Sequence, residues 1–266
     1  MSREQFSHKQ PPTPAIRLTN ELAVLKLGRW INDRGLRDQN DHKEAEEKRV
    51  PNSAEILLSR LNHPGSSSEI ACKFCDDLPY DQTVLSDDTA FVVASLGAFL
   101  DGWVLASPKR HVLALADLTL PEWSQFNGVL RSAQETVESA YGPTVMFEHG
   151  SAGRGRTAGC GVDHAHMHIV PIDIDLRSAI KNISEDVGEF DWVPSESKPK
   201  GLPGQDYIFI QDRTGTWISH ASHLPGQVVR RAIAKTLNIY EWDWKRNRQE
   251  SRVLRVAERL RGPVRV

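Results

Sequence analysis

Cysteine is scarce in this chain of 266 residues: three occur, at 72, 75 and 160, too few and too unevenly spaced for a disulfide framework. No apolar run reaches the roughly 18 residues that a membrane-spanning helix needs, which argues against a membrane partner. The opening MSREQFSHKQPPTP has no apolar core of the secretory type, so the expected location is cytoplasmic. Neither sign of charge dominates. Lys and Arg total 33 against 35 Asp and Glu, a net charge of −2, which excludes a chain-wide basic surface for nucleic acid but leaves room for a local patch. Apolar residues make up 39% and charged residues 26%, which implies a real core with polar excess in tails or loops. What the sequence does hold is a cysteine pair at CxxC spacing and ten histidines, three of them alternating.

Residues 1–65 read as a polar arm. Pro11, Pro12 and Pro14 open it, charge is dense over 33–49, and short amphipathic helices are predicted within 18–31 and over 53–61. The breakers Asn62-His63-Pro64-Gly65-Ser66 mark its end. Over 66–176 the pattern is denser. Residues 90–96 and 102–106 predict two strands of a hairpin. A helix is predicted over 120–141, with Pro121 in its first turn, Gly142-Pro143 as its stop, and a buried stripe running from Trp123 and Phe126 to Val137. Residues 144–148 read as a third strand, 149–161 as a Gly-rich loop and 162–171 as a fourth strand. Strands, one long helix and strands again predict an α+β fold with an antiparallel sheet. Residues 177–266 read as an α/β extension packed on that domain, with strands at 207–211 and 216–219 and helices at 225–237 and 247–261. From Arg230 to Arg265, 11 basic residues stand against 4 acids, a local net of +7. That excess is either the solvated face of a closing helix or a basic flank that attracts a phosphate-rich substrate or RNA.

The alternation His164-Ala165-His166-Met167-His168 carries the chemistry. On a strand the three imidazoles share one face, while Ala165, Met167 and Ile169 take the other. Such a row can grip a polyanion, bind a metal or present one nucleophilic nitrogen with helpers. The preceding loop contains five glycines, two arginines and two hydroxyl residues, a composition that brings backbone N–H groups and charge-assisted donors close to phosphate. Candidate phosphate contacts there are Gly150, Ser151, Arg154, Arg156, Thr157 and Gly161. Separately, Cys72-Lys73-Phe74-Cys75 has zinc-knuckle spacing and needs two more ligands. A redox reading of the CxxC lacks a thioredoxin-like βαβ unit upstream. Cys160 is either an unligated thiol or a rival fourth ligand.

The HxHxH motif after a Gly-rich loop, with Pro108-Lys109-Arg110-His111-Val112 about fifty residues earlier, resembles the histidine triad (HIT) superfamily of nucleotide hydrolases and transferases. The resemblance covers roughly 70–175 and implies a HIT-like antiparallel sheet with a long helix. It implies that His166 is a nucleophile toward the α-phosphorus of a nucleotide, forming a nucleotidyl-histidine that water or another acceptor resolves. The backbone carbonyl of His164 would fix the His166 tautomer, and His168 would contact phosphate or leaving-group oxygens. His149 stands where many members carry an asparagine; it is either a general acid or an ordinary loop histidine. Cys160 and Gly161 occupy the stretch where many short members have Gln and Ser. Branches with a CxxC close a structural Zn²⁺ site with the residues that match His111 and His164 here. The implied partner is a nucleotide or nucleotide-conjugate substrate with no organic cofactor; a homodimer and RNA binding stay open. The segments around 207–211, 217–220, 224–234 and 242–245 are similar to the tails of longer, CwfJ-type and bacterial relatives. They leave open a non-catalytic nucleotide- or RNA-binding role.

Overall fold

The computed structural model describes residues 72–262, apart from 77, 79 and 157–160. The arm at 1–65 with its two expected helices, and Thr157 and Cys160 in the loop, lie outside the described residues. All described residues belong to one unit, Ser67–Val266.

In chain order the unit runs α1 (Lys73–Asp76), β1 (Thr83–Ser86), β2 (Ala90–Ala94), β3 (Val104–Pro108), α2 (Leu120–Tyr141), β4 (Thr144–Gly150) and β5 (Met167–Pro171). It continues with α3 (Leu176–Lys181), α4 (Ser184–Val187), β6 (Val193–Pro194), β7 (Asp206–Asp212), β8 (Gly215–Ala221), α5 (Val228–Thr236) and α6 (Glu250–Arg261). The eight strands form a single sheet in the order β1-β2-β3-β5-β4-β7-β8-β6, antiparallel at every pairing. The fold is α+β. The sheet passes without interruption from the residues before 176 into those after it, because β7 pairs with β4 along its length, from Met146↔Gln211 to Gly150↔Tyr207.

The long helix α2 has the bounds that its local signals dictate. Thr119 and Glu122 form a capping box, in which the Glu122 carboxylate accepts from the Thr119 N–H at 2.8 Å, and Pro121 pre-sets the first turn. At the other end Gly142 takes φ +94°, a conformation that stops the helix. Its stripe of Trp123, Phe126, Leu130, Ala133 and Val137 packs on Val92, Val104, Met146, Met167 and Ile169 of the sheet, joined by Val253, Val256 and Ala257 of α6. The opposite face carries a second core, in which Val145, Phe147, Val170, Ile208 and Ile210 are covered by α3 and α5. On β2, AFVVA, Ala90, Val92 and Ala94 face the first core while Phe91, on the other face, packs edge-on against Phe74 of α1, so the strand is buried throughout instead of alternating.

Several expected boundaries shift by a few residues, and two of the shifts bear on the site. The fourth strand covers Met167–Pro171 and not 162–171, because β3 pairs only with 167–169. The stretch before it is held by other groups: the Ala165 N–H donates to the Val112 carbonyl at 2.7 Å, and Ser107 Oγ donates to the Ala165 carbonyl at 2.8 Å. Conversely, His149 and Gly150 belong to β4 and not to a loop, since β7 extends the ladder to them. Glycine is required at 150 because a Cβ there would collide with the Tyr207 ring.

Most of the basic excess after Arg230 is structural at the surface. Arg252 and Arg255 reach Asp101 at 3.0 and 3.3 Å, and Arg259 donates to the Ala140 carbonyl at 3.1 Å. Among the described residues, no helix is long and apolar enough to cross a membrane.

Candidate active site

A cleft of about 330 Å³ opens where β2, β3 and β5 meet α1 and the segment between α5 and α6. That volume lies in the usual range of about 300–1,000 Å³ for small-molecule sites. His166 and His168 form its polar floor, and Phe74, Val93, Leu105 and Trp244 give it apolar walls. The two imidazole centroids are 4.9 Å apart.

Hydrogen bonds assign each ring its tautomer. His166 Nδ1 lies 2.7 Å from the His164 carbonyl, which can only accept, so the proton is on Nδ1 and Nε2 carries the lone pair. In His168 the order is reversed. The Trp103 indole N–H, which can only donate, reaches His168 Nδ1 at 3.1 Å, so the His168 proton is on Nε2. The His168 ring stacks on Phe147 at 4.2 Å, which fixes its plane. Burial lowers the pKa of His166, against the carbonyl bond that favours its cation. It lowers that of His168 much further, aided by His166, Arg230 and His149. Both rings are therefore neutral near pH 7.

His164 turns away from this pair toward the cysteines. Its Nε2–H donates to the Pro108 carbonyl at 2.8 Å, leaving Nδ1 to face Cys72 Sγ at 3.4 Å and Cys75 Sγ at 3.5 Å. His111 Nδ1 stands 3.4 Å from Cys75 Sγ. All four donor atoms lie within 4.8 Å of one another. Tetrahedral zinc, with Zn–S about 2.3 Å and Zn–N about 2.0–2.1 Å, requires S···N separations of roughly 3.6 Å, close to those found. The Pro108 carbonyl is the kind of outer partner that fixes a metal-ligating histidine. The residues present thus fit a closed Cys₂His₂ metal site. Burial leads in lowering the His164 pKa to about 4. Burial, with the neighbouring Cys72, pushes the Cys75 thiol up to about 11.

The remaining residues expected at the site are placed differently. His149 is buried on β4 opposite Ile208 and lies 5.8 Å from the Phe147 ring, without forming a wall of the cleft. Gly150 is part of the same strand. Ser151 Oγ donates to the Gly153 carbonyl, and the Ala152 and Gly155 amides donate to Asp206 and Asp163. Arg156 pairs with the buried Asp206 at 3.0 Å, and Arg154 approaches His111 Nε2 at 3.4 Å. Gly161 takes φ +87°, with the Lys245 side chain beside it. Of the described loop residues expected to contact phosphate, none lines the cleft.

In their place the structure brings Arg230, Trp244 and Arg248 from the C-terminal extension and Lys73 from the CxxC helix. Sequence reasoning counts these cations but does not aim them. A signal exists for Arg230: it shares a helix face with Ile233 and Ala234, so its position is apolar by periodicity. Sequence reasoning also misses Glu148. It is buried under β4 on the face opposite the histidines, accepting from Tyr207 Oη at 2.6 Å and the Leu115 N–H at 2.7 Å. Burial nonetheless raises its pKa to about 8.

Residues 79–174 match the family model described as the HIT domain. The nitrilase and fragile histidine triad fusion protein NitFhit of Caenorhabditis elegans is 35% identical over 98 residues, 36% of this chain and 21% of that protein. The bis(5'-adenosyl)-triphosphatase of Dictyostelium discoideum is 32% identical over 85 residues, 32% of this chain and 55% of that protein. The chain therefore spans about half or less of the length of these relatives. Similar solved structures include that of C. elegans NitFhit, 30% identical with a TM-score of 0.34 over 45% of this chain and 31% of that one. Another is a HIT-like protein from Bartonella henselae, 19% identical with a TM-score of 0.33 over 37% and 75% of the two chains. The match to the HIT domain model, over about a third of the chain, falls on the stretch that carries the three alternating histidines.

Proposed function

We propose that this protein is a nucleotide hydrolase or nucleotidyltransferase that works through a covalent nucleotidyl-histidine at His166. The observation that carries the reading is the 2.7 Å bond from His166 Nδ1–H to the His164 carbonyl, which leaves Nε2 as the lone-pair nitrogen of a ring in the cleft. In the first step an Nε2–P bond forms at the α-phosphorus and the bond to the leaving group breaks, the departing group taking a proton. His168, with its proton on Nε2, donates a hydrogen bond to a phosphate or leaving-group oxygen, and water supplies the proton that the departing group takes, since His149 does not line the cleft and His168 Nδ1 is held by the Trp103 N–H. In the second step water or another acceptor attacks phosphorus and the P–N bond breaks. The Dictyostelium relative, named as a bis(5'-adenosyl)-triphosphatase, makes dinucleoside polyphosphates the first donors to try, with phosphoramidates and nucleotide sugars beside them.

Cys72, Cys75, His111 and His164 would hold a structural Zn²⁺. Such an ion supplies a rigid cross-link and no open coordination position. His164 then serves twice. Its ring anchors α1, and its backbone carbonyl orients the nucleophile.

The test is turnover of that donor panel by wild type and His166→Ala. The reading expects at least one donor to be consumed by the wild type, with a loss of more than about a thousandfold in the variant. Full turnover by His166→Ala would sink it.

A further inference from the structure

Two aromatic side chains fix the state of His168. Its ring stacks on Phe147 with centroids 4.2 Å apart and planes within 10°, and the Trp103 indole N–H donates to its Nδ1 at 3.1 Å. Trp103 is fully buried. Its ring meets Phe99 and Phe147 edge-on at 5.2 and 6.0 Å, and its carbonyl accepts from the Ser95 N–H at 2.9 Å, so neither ring nor backbone swings away. An indole N–H can only donate. It keeps a proton off Nδ1, where a hydroxyl or a water, able to accept as well, would allow one.

An imidazole gives up a proton near neutral pH in two ways: as its cation, or as a neutral ring that takes a second proton at the opposite nitrogen. Burial, with His166 beside it, disfavours the cation of His168, and Trp103 blocks the opposite nitrogen. The Nε2–H of His168 can therefore donate a hydrogen bond but not transfer its proton. The rest of the cleft offers no substitute. Among the described residues its walls carry no carboxylate, phenol or thiol, and their cations are lysine and arginine, the weakest acids among charged side chains. The Nδ1 proton of His166 is held on the His164 carbonyl, away from the reacting nitrogen.

We propose that Trp103 is a positioning residue that makes His168 a hydrogen-bond donor without a transferable proton, so that this site selects nucleotides whose leaving group departs as an anion. This rests on the nucleotide reading above and narrows it. The His166 Nε2–P bond forms, the P–O bond breaks, and both electrons of that bond go to the leaving oxygen. That oxygen meets the His168 Nε2–H and takes a proton from water only afterwards. Nucleotides, pyrophosphate and sugar phosphates can leave in this way. An amine cannot, because its nitrogen must be protonated as the P–N bond breaks. Dinucleoside polyphosphates and nucleotide sugars are thus the donors of this site, and nucleoside phosphoramidates are discriminated against.

The test uses the 4-nitrophenyl and phenyl esters of adenosine 5'-monophosphate, which share one nucleotide and differ in the leaving phenol. 4-Nitrophenol is about a thousandfold stronger as an acid than phenol, whose pKa is about 10 as in tyrosine. With no proton transferred, kcat/KM for the phenyl ester should be lower by at least about a hundredfold; a smaller ratio means that an acid assists and overturns the proposal. Adenosine 5'-phosphoramidate should trail diadenosine triphosphate by about 10²–10⁴-fold, the usual worth of a general acid, and equal turnover overturns the proposal as well. In Trp103→Phe the space left by the indole edge admits water to Nδ1, and both ratios should narrow, which a loss of packing alone would not cause. Unchanged ratios in that variant overturn the role of Trp103. Should Trp103→Phe fail to fold, the ¹⁵N resonances of the wild-type His168 ring, identified by their absence in His168→Gln, decide. Nδ1 should stay unprotonated between about pH 5 and pH 9, and a proton on it overturns the proposal. No turnover of any donor refutes the His166 chemistry and this proposal with it, whereas turnover that ignores the leaving group refutes this proposal alone.

Discussion

Replacing Glu148 with Gln should flatten the pH dependence of stability. The Glu148 carboxyl is fully buried, and burial raises its pKa from the ordinary 4.5 to about 8, in spite of the donors Tyr207 Oη and Leu115 N–H. The folded state therefore holds a proton that the unfolded state releases above pH 4.5. The stabilisation is fully present below about pH 4.5 and is lost as pH rises through about 8. Between pH 5 and pH 8 this amounts to about 3 kcal/mol, taking 1.36 kcal/mol per pKa unit. Buried neutral histidines act with the opposite sign below pH 7, since only the unfolded chain takes up their protons, so wild type alone gives a mixed curve. Glu148→Gln keeps the shape of the neutral acid and cannot ionise. Urea unfolding of both proteins at pH 5 and pH 8 isolates the group: wild type should lose about 3 kcal/mol more than the variant over that interval. Parallel curves would show that Glu148 is ionised in the fold and refute the reasoning.

Trp103→Phe keeps much of the ring packing against Phe99 and Phe147 but removes the N–H that fixes His168. Turnover should fall by about tenfold, the worth of one buried hydrogen bond, with unchanged turnover as the contrary result. Metal analysis of the native protein should find about one zinc per chain, lost in Cys72→Ser. Chelation should lower the unfolding midpoint, because binding energy at a structural site is folding energy. A zinc-free native protein with the same midpoint would contradict the Cys₂His₂ assignment.

Features set by neighbours along the chain are legible in the amino-acid sequence. The capping box, Pro121, the apolar stripe and Gly142 are all local to 119–142, and they bound α2 correctly. The four donors Cys72, Cys75, His111 and His164 are also readable as a set, through the resemblance, and the fold brings them together. Features set by distant partners are not. Gly150 reads as loop because glycine weakens strands, yet Tyr207 of β7 fills the space over it and keeps it in the ladder. The expected fourth strand loses its first half because Ser107, Pro108 and Val112 claim the backbone and side chain of 164–165. The consequence is functional: period two places the three histidines in one row, whereas the structure sends His164 to the cysteines and leaves His166 and His168 in the cleft. Charge counting likewise finds a basic tail but cannot separate Arg230, turned inward under α5, from Arg252 and Arg255 on the surface.

Trapping the intermediate reaches the chemistry most directly. Wild type mixed with a dinucleoside triphosphate labelled at its α-phosphates is stopped in denaturing alkali, where a phosphoramidate persists, and digested for mass spectrometry. A nucleotidyl group on the peptide containing His166, absent from His166→Ala, is the expected result. Rapid product formation with that peptide unlabelled at every time point would contradict a covalent mechanism at His166.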